Sequence, residues 1–194
     1  LYLPNIEKIN ILGLDKSEKN DFLIEFERFK SNNLLSLDKT LIEEKINSNE
    51  LIERYSVFKI YPSSLQIDLK KTEFLANIIR NGKTFFVGSN GKIINSNGRS
   101  IELPFIFGEY DSKNFFKLKK DIEESLLNYS EIKNLFVFPS GRWDIETKSG
   151  ILIKLPKKRQ KESLNLFSKL IQKDEFNQVK IIDFRQKNQV IVNE

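Results

Sequence analysis

The stretch VFKIYPSSLQIDL, residues 57–69, decides the fold of the first part of this chain. After the turn Pro62-Ser63-Ser64, apolar and polar residues alternate strictly, in the order Leu65, Gln66, Ile67, Asp68, Leu69 and Lys70. Successive side chains of a strand point to opposite faces, so this alternation predicts a strand with one buried face. Residues 52–61 before the turn are also extended in pattern, with Val57 inward. The stretch therefore predicts two strands joined by a turn.

Upstream of these strands, the sequence predicts one further strand and two helices. Ile9 and Ile11 alternate with polar neighbours until Gly13, as in a short strand. The first helix has Ser17 as its candidate N-cap and an apolar face of Phe22, Leu23, Phe26 and Phe29. The second has Asp38 as its candidate N-cap and an apolar stripe of Leu41, Ile42 and Ile46. The predicted order is strand, helix, helix, strand, strand.

Downstream of about residue 73, short apolar runs are separated by glycines, which is typical of hairpins. The runs predict hairpins within 85–94, a helix from Asp111 or Ser112 that uses Phe115, Phe116, Leu118, Ile122, Leu126 and Leu127, and strands at 132–138, 142–147 and 151–155. A helix at 158–171 and strands at 179–184 and 189–192 follow. The predicted fold class is α+β. A small β-α-α-β-β domain spans residues 1–73, and a larger, mainly antiparallel β-domain with two helices spans residues 74–194.

The composition argues against most enzyme chemistry. The 194 residues contain no His and no Cys, which removes the commonest general base, the thiol nucleophile and disulfides. Zinc and haem sites also become improbable, so we expect no metal, no cofactor and no catalysis. The net charge is +5, but acidic residues are interspersed nearly everywhere, which indicates a Lys-rich solvated surface. Position 1 is not Met, and no stretch approaches the roughly 20 apolar residues of a membrane helix.

At this point several motifs converge, and the chain resembles the FtsQ/DivIB family of bacterial cell-division proteins. Residues 6–72, with the stretch 57–67, resemble a POTRA domain. The remainder resembles the family's β-domain through Phe86-Val87-Gly88 with Gly91, Leu103-Pro104 with Gly108, Arg142-Trp143-Asp144-Ile145, residues 150–155 and Ile182-Asp183-Phe184-Arg185. The order and spacing of these motifs extend over nearly the whole chain.

The resemblance implies a scaffold that is anchored in the inner membrane by one helix upstream of Leu1, after a short cytoplasmic tail. Both domains then lie in the periplasm at the division septum and catalyse nothing. The implied partners are the FtsB/FtsL pair, which the scaffold recruits and regulates, and for the POTRA domain an earlier-arriving protein such as FtsK. Nucleic acid is not an implied partner.

The expected partner site is an unpaired sheet edge at the end of the chain. A partner segment adds a strand to such an edge, so that main-chain hydrogen bonds give affinity and nearby charges give register. The predicted partner-binding residues are Phe184, Arg185, Gln186, Gln189, Val190, Ile191, Val192 and Arg142. Trp143, as a core anchor, Pro62 and Gly108 are predicted structural residues.

Three other functions stay open from the sequence. A different POTRA protein, from an outer-membrane assembly or secretion system, would repeat POTRA units and continue into a barrel. A basic nucleic-acid-binding module would bind DNA with steep salt dependence. A hydrolase would need a pair of carboxylates in a deep site, which sequence spacing alone does not reveal.

Overall fold

The computed structural model describes residues 4–173, 176, 178–187 and 189–193; the outer domain limits predicted at residues 1 and 194 lie outside this range. The described chain forms two compact units, one of residues 4–74 and 88–94 and the other of residues 75–87 and 95–193. The predicted α+β class is confirmed. The division of the sequence at residue 73 stays a prediction.

The first unit has the predicted order of elements. It contains β1 (Lys8–Leu12), α1 (Lys16–Phe26), a 3₁₀ helix (Glu27–Ser31), α2 (Lys39–Asn47), β2 (Ile52–Ile60) and β3 (Ser64–Lys71). The strands form one sheet in the order β1-β3-β2, with β1 parallel and β2 antiparallel to β3. Leu65, Ile67 and Leu69 are buried, as their alternation predicts. The Tyr61–Pro62 peptide bond, between β2 and β3, is cis.

Of the two helix caps predicted in the first unit, one is confirmed and one is wrong. The Asp38 carboxylate accepts a hydrogen bond from the Thr40 N–H, which confirms Asp38 as the N-cap of α2. Ser17 is not the cap of α1, because the helix begins earlier. Asp15 is the N-cap, and it forms a reciprocal capping box with Glu18. A capping box satisfies two backbone N–H groups at once, which a serine inside the first turn cannot do.

The core of the first unit is built from aromatic and aliphatic residues of both layers. Phe26 packs between Phe22 and Phe29, with ring centroids 6.0 and 5.4 Å away. The prediction that Leu41 belongs to the buried stripe of α2 is wrong, because its side chain is 49% exposed. The buried residues of α2 are Ile42 and Ile46, which lie four positions apart and therefore share a face.

The segment 88–94 clusters with the first unit, although residues 75–87 of the other unit precede it. The Ser89 hydroxyl donates to the Glu53 carboxylate at 2.8 Å. The Asn90 side-chain amide donates to the carbonyl oxygens of Glu50 and Ile52, at 2.8 and 3.2 Å. Segment 88–94 therefore satisfies two main-chain acceptors beside the start of β2.

The second unit is organised around a nine-stranded sheet. Its strands are β4 (Phe74–Arg80), β5 (Lys83–Gly88), β6 (Ile93–Asn95), β7 (Phe105–Phe107), β8 (Ile132–Val137), β9 (Trp143–Thr147), β10 (Leu152–Lys154), β11 (Ile181–Asp183) and β12 (Ile191–Asn193). The strand order is β12-β11-β10-β9-β8-β7-β4-β5-β6. Parallel pairs join β10 to β11, β7 to β8 and β4 to β7, so the sheet is more mixed than the hairpin pattern predicts.

The helices of the second unit are α3 (Ser112–Glu123) and α4 (Gln160–Leu170), with a 3₁₀ helix at Tyr129–Glu131. Asp111 is the N-cap of α3, because its carboxylate accepts from the Asn114 N–H. The ring of Phe115 in α3 lies 6.4 Å from the ring of Trp143 in β9, centroid to centroid. Leu126, predicted to face inward, follows the end of α3 and is largely exposed. None of the helices in the described ranges is both long and apolar enough to cross a membrane.

Candidate protein-binding edge

Strand β12 is the outer strand at one end of the nine-stranded sheet. It pairs antiparallel with β11 on one side only, in the register Ile181↔Asn193, Ile182↔Val192 and Asp183↔Ile191. The side chains of Val190, Ile191 and Val192 are 36%, 46% and 38% exposed. An outer strand presents unpaired N–H and C=O groups, and exposed aliphatic side chains beside them add apolar surface. The described part of the chain therefore has an open, partly apolar edge here.

A row of charged side chains crosses the sheet next to this edge. The pairings Asp144↔Lys154, Lys154↔Asp183 and Asp183↔Ile191 align three charged residues and Ile191 across β9 to β12. Residues in direct register share one face of a sheet. That face is opposite to the one that carries the buried Trp143 and Ile145, because neighbours along a strand point to opposite sides. Lys154 lies between two carboxylates in this row.

Arg185 is held against the sheet by the Asp183 carboxylate. Its Nε donates to both Asp183 oxygens at 2.9 Å, and its backbone N–H donates to Oδ1 at 2.9 Å. The Arg185 side chain is still 40% exposed. Its bonds to Asp183 involve Nε and Nη2, and a guanidinium carries five N–H donors. Arg185 is therefore positioned by Asp183 and keeps donors for another acceptor.

Arg142 lies at the other end of the row, paired with Asp144 through a longer hydrogen bond of 3.4 Å from Nη2 to Oδ2. Its Nε lies 3.3 Å from Oδ1 of Asp144, and its guanidinium carbon lies 4.1 Å from the centroid of the Phe138 ring. A cation over an aromatic face at this distance is attracted to the ring. The fold thus brings Arg142 and Arg185, 43 positions apart in the sequence, to the two ends of one row of charges.

The two carboxylates of the row have opposite pKa shifts. Hydrogen bonds from the Arg185 side chain, the largest cause, lower the pKa of Asp183 below its ordinary 3.8. Burial is the largest effect on Asp144 and raises the pKa of its carboxyl group, although Arg142 acts in the other direction. A group whose pKa is lowered in the folded state stabilises the fold at pH values above its ordinary pKa, and this stabilisation is lost as the pH falls. A group whose pKa is raised stabilises the fold at low pH, and this stabilisation is lost as the pH rises.

We expect Asp183→Asn and Asp144→Asn to change stability with opposite pH dependence. The advantage of the wild type over Asp183→Asn should shrink between pH 7 and pH 3, because protonation ends the stabilisation by an ionised Asp183. As the pH falls over the same range, the stability of the wild type should rise relative to that of Asp144→Asn, because protonation removes the penalty of a buried charge. Urea midpoints at both pH values measure this, and each variant serves as the control for the other. Parallel pH profiles for the two variants would contradict the expectation.

The predicted site residues do not all lie at this edge. The predicted partner-binding role of Phe184 needs correction, because its side chain is only 5% exposed and is therefore buried within the unit. Gln186, Gln189 and Val190 are exposed, but β12 begins at Ile191, after Val190 and Gln189. Trp143 is completely buried, and Gly108 lies directly after β7 with a positive φ of 104°.

Asp144, Lys154 and Asp183 were not among the residues predicted for the site, although a sequence signal for two of them exists. Arg142 and Asp144 are two positions apart, as are Asp183 and Arg185. Residues two apart on a strand share a face, so opposite charges at this spacing predict an ion pair. Lys154 gives no such signal, since its neighbours in the row come from strands distant in sequence.

Fold and edge together define an α+β protein with a β-α-α-β-β unit and a larger sheet unit that has an open, charged end. Comparisons with known proteins agree with this class. The sequence model of the FtsQ-type POTRA domain matches residues 5–71, and that of the C-terminal part of cell division protein FtsQ/DivIB matches residues 76–185. The chain therefore belongs to the FtsQ/DivIB family. This is a family of non-enzymatic cell-division proteins that are located in the membrane at the division site, with a periplasmic domain.

Several curated relatives are cell division proteins FtsQ. The protein of Rickettsia bellii is 25% identical over 190 residues, which is 96% of this chain and 71% of the relative. That of Bradyrhizobium diazoefficiens is 23% identical over 82% of this chain, and the chain spans only 48% of its length. Among solved structures, the major extracytoplasmic domain of DivIB from Geobacillus stearothermophilus matches with a TM-score of 0.40 and 12% identity, covering 55% of this chain and 96% of that one.

Proposed function

We propose that this chain is a non-enzymatic scaffold of the division machinery that captures an extended segment of an FtsB/FtsL-type partner along β12. The observation that carries the proposal is the open edge of β12, which carries the exposed Ile191 and Val192 and follows the exposed Val190. A partner strand would continue the sheet through main-chain hydrogen bonds. In this proposal the chain acts outside the inner membrane, where an anchor upstream of Leu1 holds it.

The charges beside the edge give the proposed contact its register. Asp183 is directly aligned with Ile191 of β12, and it fixes the Arg185 guanidinium at that point. A preorganised guanidinium loses little side-chain entropy when it binds a carboxylate, and it can do so with two parallel bonds. We therefore expect an acidic residue on the partner close to Ile191. Arg142 lies farther along the same row and would meet a partner residue that reaches across the sheet face.

The POTRA-containing first unit is proposed to serve localisation, with an earlier-arriving protein such as FtsK as its partner. Family membership favours this division role over the outer-membrane assembly and secretion systems considered from the sequence. It also favours protein partners over nucleic acid.

Proline substitutions in β12 test the proposed edge. Neighbouring N–H groups of a strand point to opposite sides, so one of Ile191 and Val192 donates into the sheet and the other donates outward. One of Ile191→Pro and Val192→Pro should destabilise the fold. The other should stay folded and weaken binding of a purified FtsB/FtsL extracytoplasmic fragment at least about tenfold, or about 1.4 kcal/mol.

The matched controls are Ile191→Ala and Val192→Ala, which keep both N–H groups. They should bind within a few-fold of the wild type, because main-chain bonds are proposed to give most of the affinity. Thermal melts separate loss of folding from loss of binding. If both proline variants fold and bind like the wild type, the partner does not pair with β12.

A further inference from the structure

The first unit has an open edge of its own, which the proposed partner site does not use. Strand β2 is the outer strand of the order β1-β3-β2, and with nine residues it is three times as long as β12. Its exposed face carries Phe58 and Ile60, which are 47% and 44% exposed, and Arg54, whose side chain is 71% exposed. Long edges that show apolar residues favour pairing with another chain.

The free part of this edge has a definite length. The Asn90 amide donates to the Ile52 carbonyl oxygen at 3.2 Å, and so engages the first residue of the strand. The strand ends at Ile60, before the turn at 61–63. Residues 53–60 therefore remain, and their middle lies at Ser56 and Val57.

The sequence of this free edge is complementary to itself in one antiparallel register. When two copies of β2 are paired with Ser56 opposite Ser56, Glu53 lies opposite Lys59, Arg54 opposite Phe58, and Tyr55 opposite Val57. Every contact occurs twice by symmetry. Opposite charges, a cation beside an aromatic ring and apolar pairs are each favourable between directly facing residues. In this register, even-numbered residues face even-numbered ones and odd-numbered residues face odd-numbered ones. Burial along β2 alternates with period two, so the exposed faces of the two copies lie on the same side of the joined sheet.

The neighbouring registers lack this complementarity. Centring the pair on Tyr55 places Glu53 opposite Val57, and centring it on Val57 places Lys59 opposite Tyr55 and Arg54 opposite Ile60. Both arrangements leave the charges without an opposite charge in direct register. Glu53 already accepts from Ser89 and pairs with Lys70, and Lys59 donates to the Leu37 carbonyl oxygen. Pairing between Glu53 and Lys59 therefore adds little affinity and acts chiefly by selecting one register out of several.

We propose that β2 is a self-association edge, at which two copies of this chain pair antiparallel about a two-fold axis through Ser56. The interface is isologous, and the two three-stranded sheets become one six-stranded sheet. The occupant is a second copy because the edge is complementary to its own sequence. The proposal is independent of the partner edge at β12, and either can fail without the other.

Single cysteine variants of the whole chain test this register, since the protein has no cysteine of its own. In Ser56→Cys the two introduced residues face each other with Cα atoms about 4.5–5.5 Å apart, within the range of a disulfide. In Arg54→Cys each copy faces Phe58 of the other, and the two cysteines lie four residues apart along the strand, about 14 Å. Mild oxidation should therefore cross-link Ser56→Cys at least about fivefold more than Arg54→Cys, as judged on non-reducing gels.

Arg54→Cys is a matched control, because position 54 lies on the same face of the same strand and is exposed, as position 56 is. A mixture of Arg54→Cys and Phe58→Cys should form the mixed dimer, because these positions face each other. Thermal melts confirm that all three variants are folded. Equal cross-linking of Ser56→Cys and Arg54→Cys, or none with Ser56→Cys, overturns the proposal.

Discussion

Replacing Trp143 by alanine is expected to lower the free energy of unfolding by about 3–5 kcal/mol, the usual cost of removing a buried tryptophan. Trp143 is the largest of the completely buried side chains and belongs to β9, near the middle of the nine-stranded sheet. Its ring contacts Phe115 of α3, so its removal opens a cavity between sheet and helix. A urea titration followed by far-ultraviolet circular dichroism measures the loss.

Trp143→Phe is the matched control for this substitution. It keeps an aromatic ring in the core, and it removes an indole N–H that is buried without a hydrogen-bond partner among the described residues. An unsatisfied buried donor costs about 1–3 kcal/mol, so losing it offsets part of the lost packing. Trp143→Phe should therefore lie much closer to the wild type than Trp143→Ala. A wild-type midpoint for Trp143→Ala would show that the ring is not a core anchor.

The second large effect is expected for Gly108→Ala. Gly108 has a φ of 104°, and a Cβ at this position would lie 2.2 Å from the Val137 carbonyl oxygen and 2.9 Å from its Cγ1. The first contact is with backbone, so the ends of β7 and β8 must move apart. Positive φ alone costs a non-glycine residue about 1–3 kcal/mol, and the clash adds to it. We expect Gly108→Ala to lower the free energy of unfolding by at least that amount, as measured by urea titration.

Gly150→Ala separates the two causes. Gly150 also has a positive φ, of 89°, but a Cβ there would meet nothing within 4 Å. Gly150→Ala should therefore be destabilised only by the cost of a positive φ, without a clash. If Gly108→Ala and Gly150→Ala are equally destabilised, the approach of Val137 to Gly108 contributes nothing, and the explanation from close contact is wrong.

Elements with a local signal could be predicted from the sequence. Asp38 was predicted as the N-cap of α2, and the start of α3 was predicted at Asp111 or Ser112, because a short polar residue before an apolar stripe marks a helix start. For α1 the decisive local signal is the Glu three residues after Asp15, which marks a capping box and favours Asp15 over Ser17. Asn81-Gly82 between β4 and β5 is another local signal that was missed; both residues have positive φ, as in the tight turns that join hairpins.

Elements defined by distant partners could not be predicted in this way. Strand β7 has only three residues and lies between β4 and β8, parallel to both. Parallel pairing joins segments far apart in the sequence, and a three-residue run is too short to show a period.

The candidate site shares this division between local and distant information. The ion pairs Arg142–Asp144 and Asp183–Arg185 follow from a two-residue spacing at the ends of β9 and β11, but their alignment through Lys154 depends on the order of the strands. The burial of Phe184 also depends on tertiary packing, since an apolar residue beside a sheet edge can face either side.

The position of segment 88–94 determines which residues must be exchanged together when chimeras of two relatives are made. A chimera that exchanges residues 4–74 between two relatives transfers the three-stranded sheet and leaves Ser89 and Asn90 behind in the recipient. The carbonyl groups of Glu50 and Ile52 would then face a loop selected with another sheet. We expect positions 50–53 and 89–90 to change together during evolution, and chimeras to tolerate the exchange best when both segments come from the same parent.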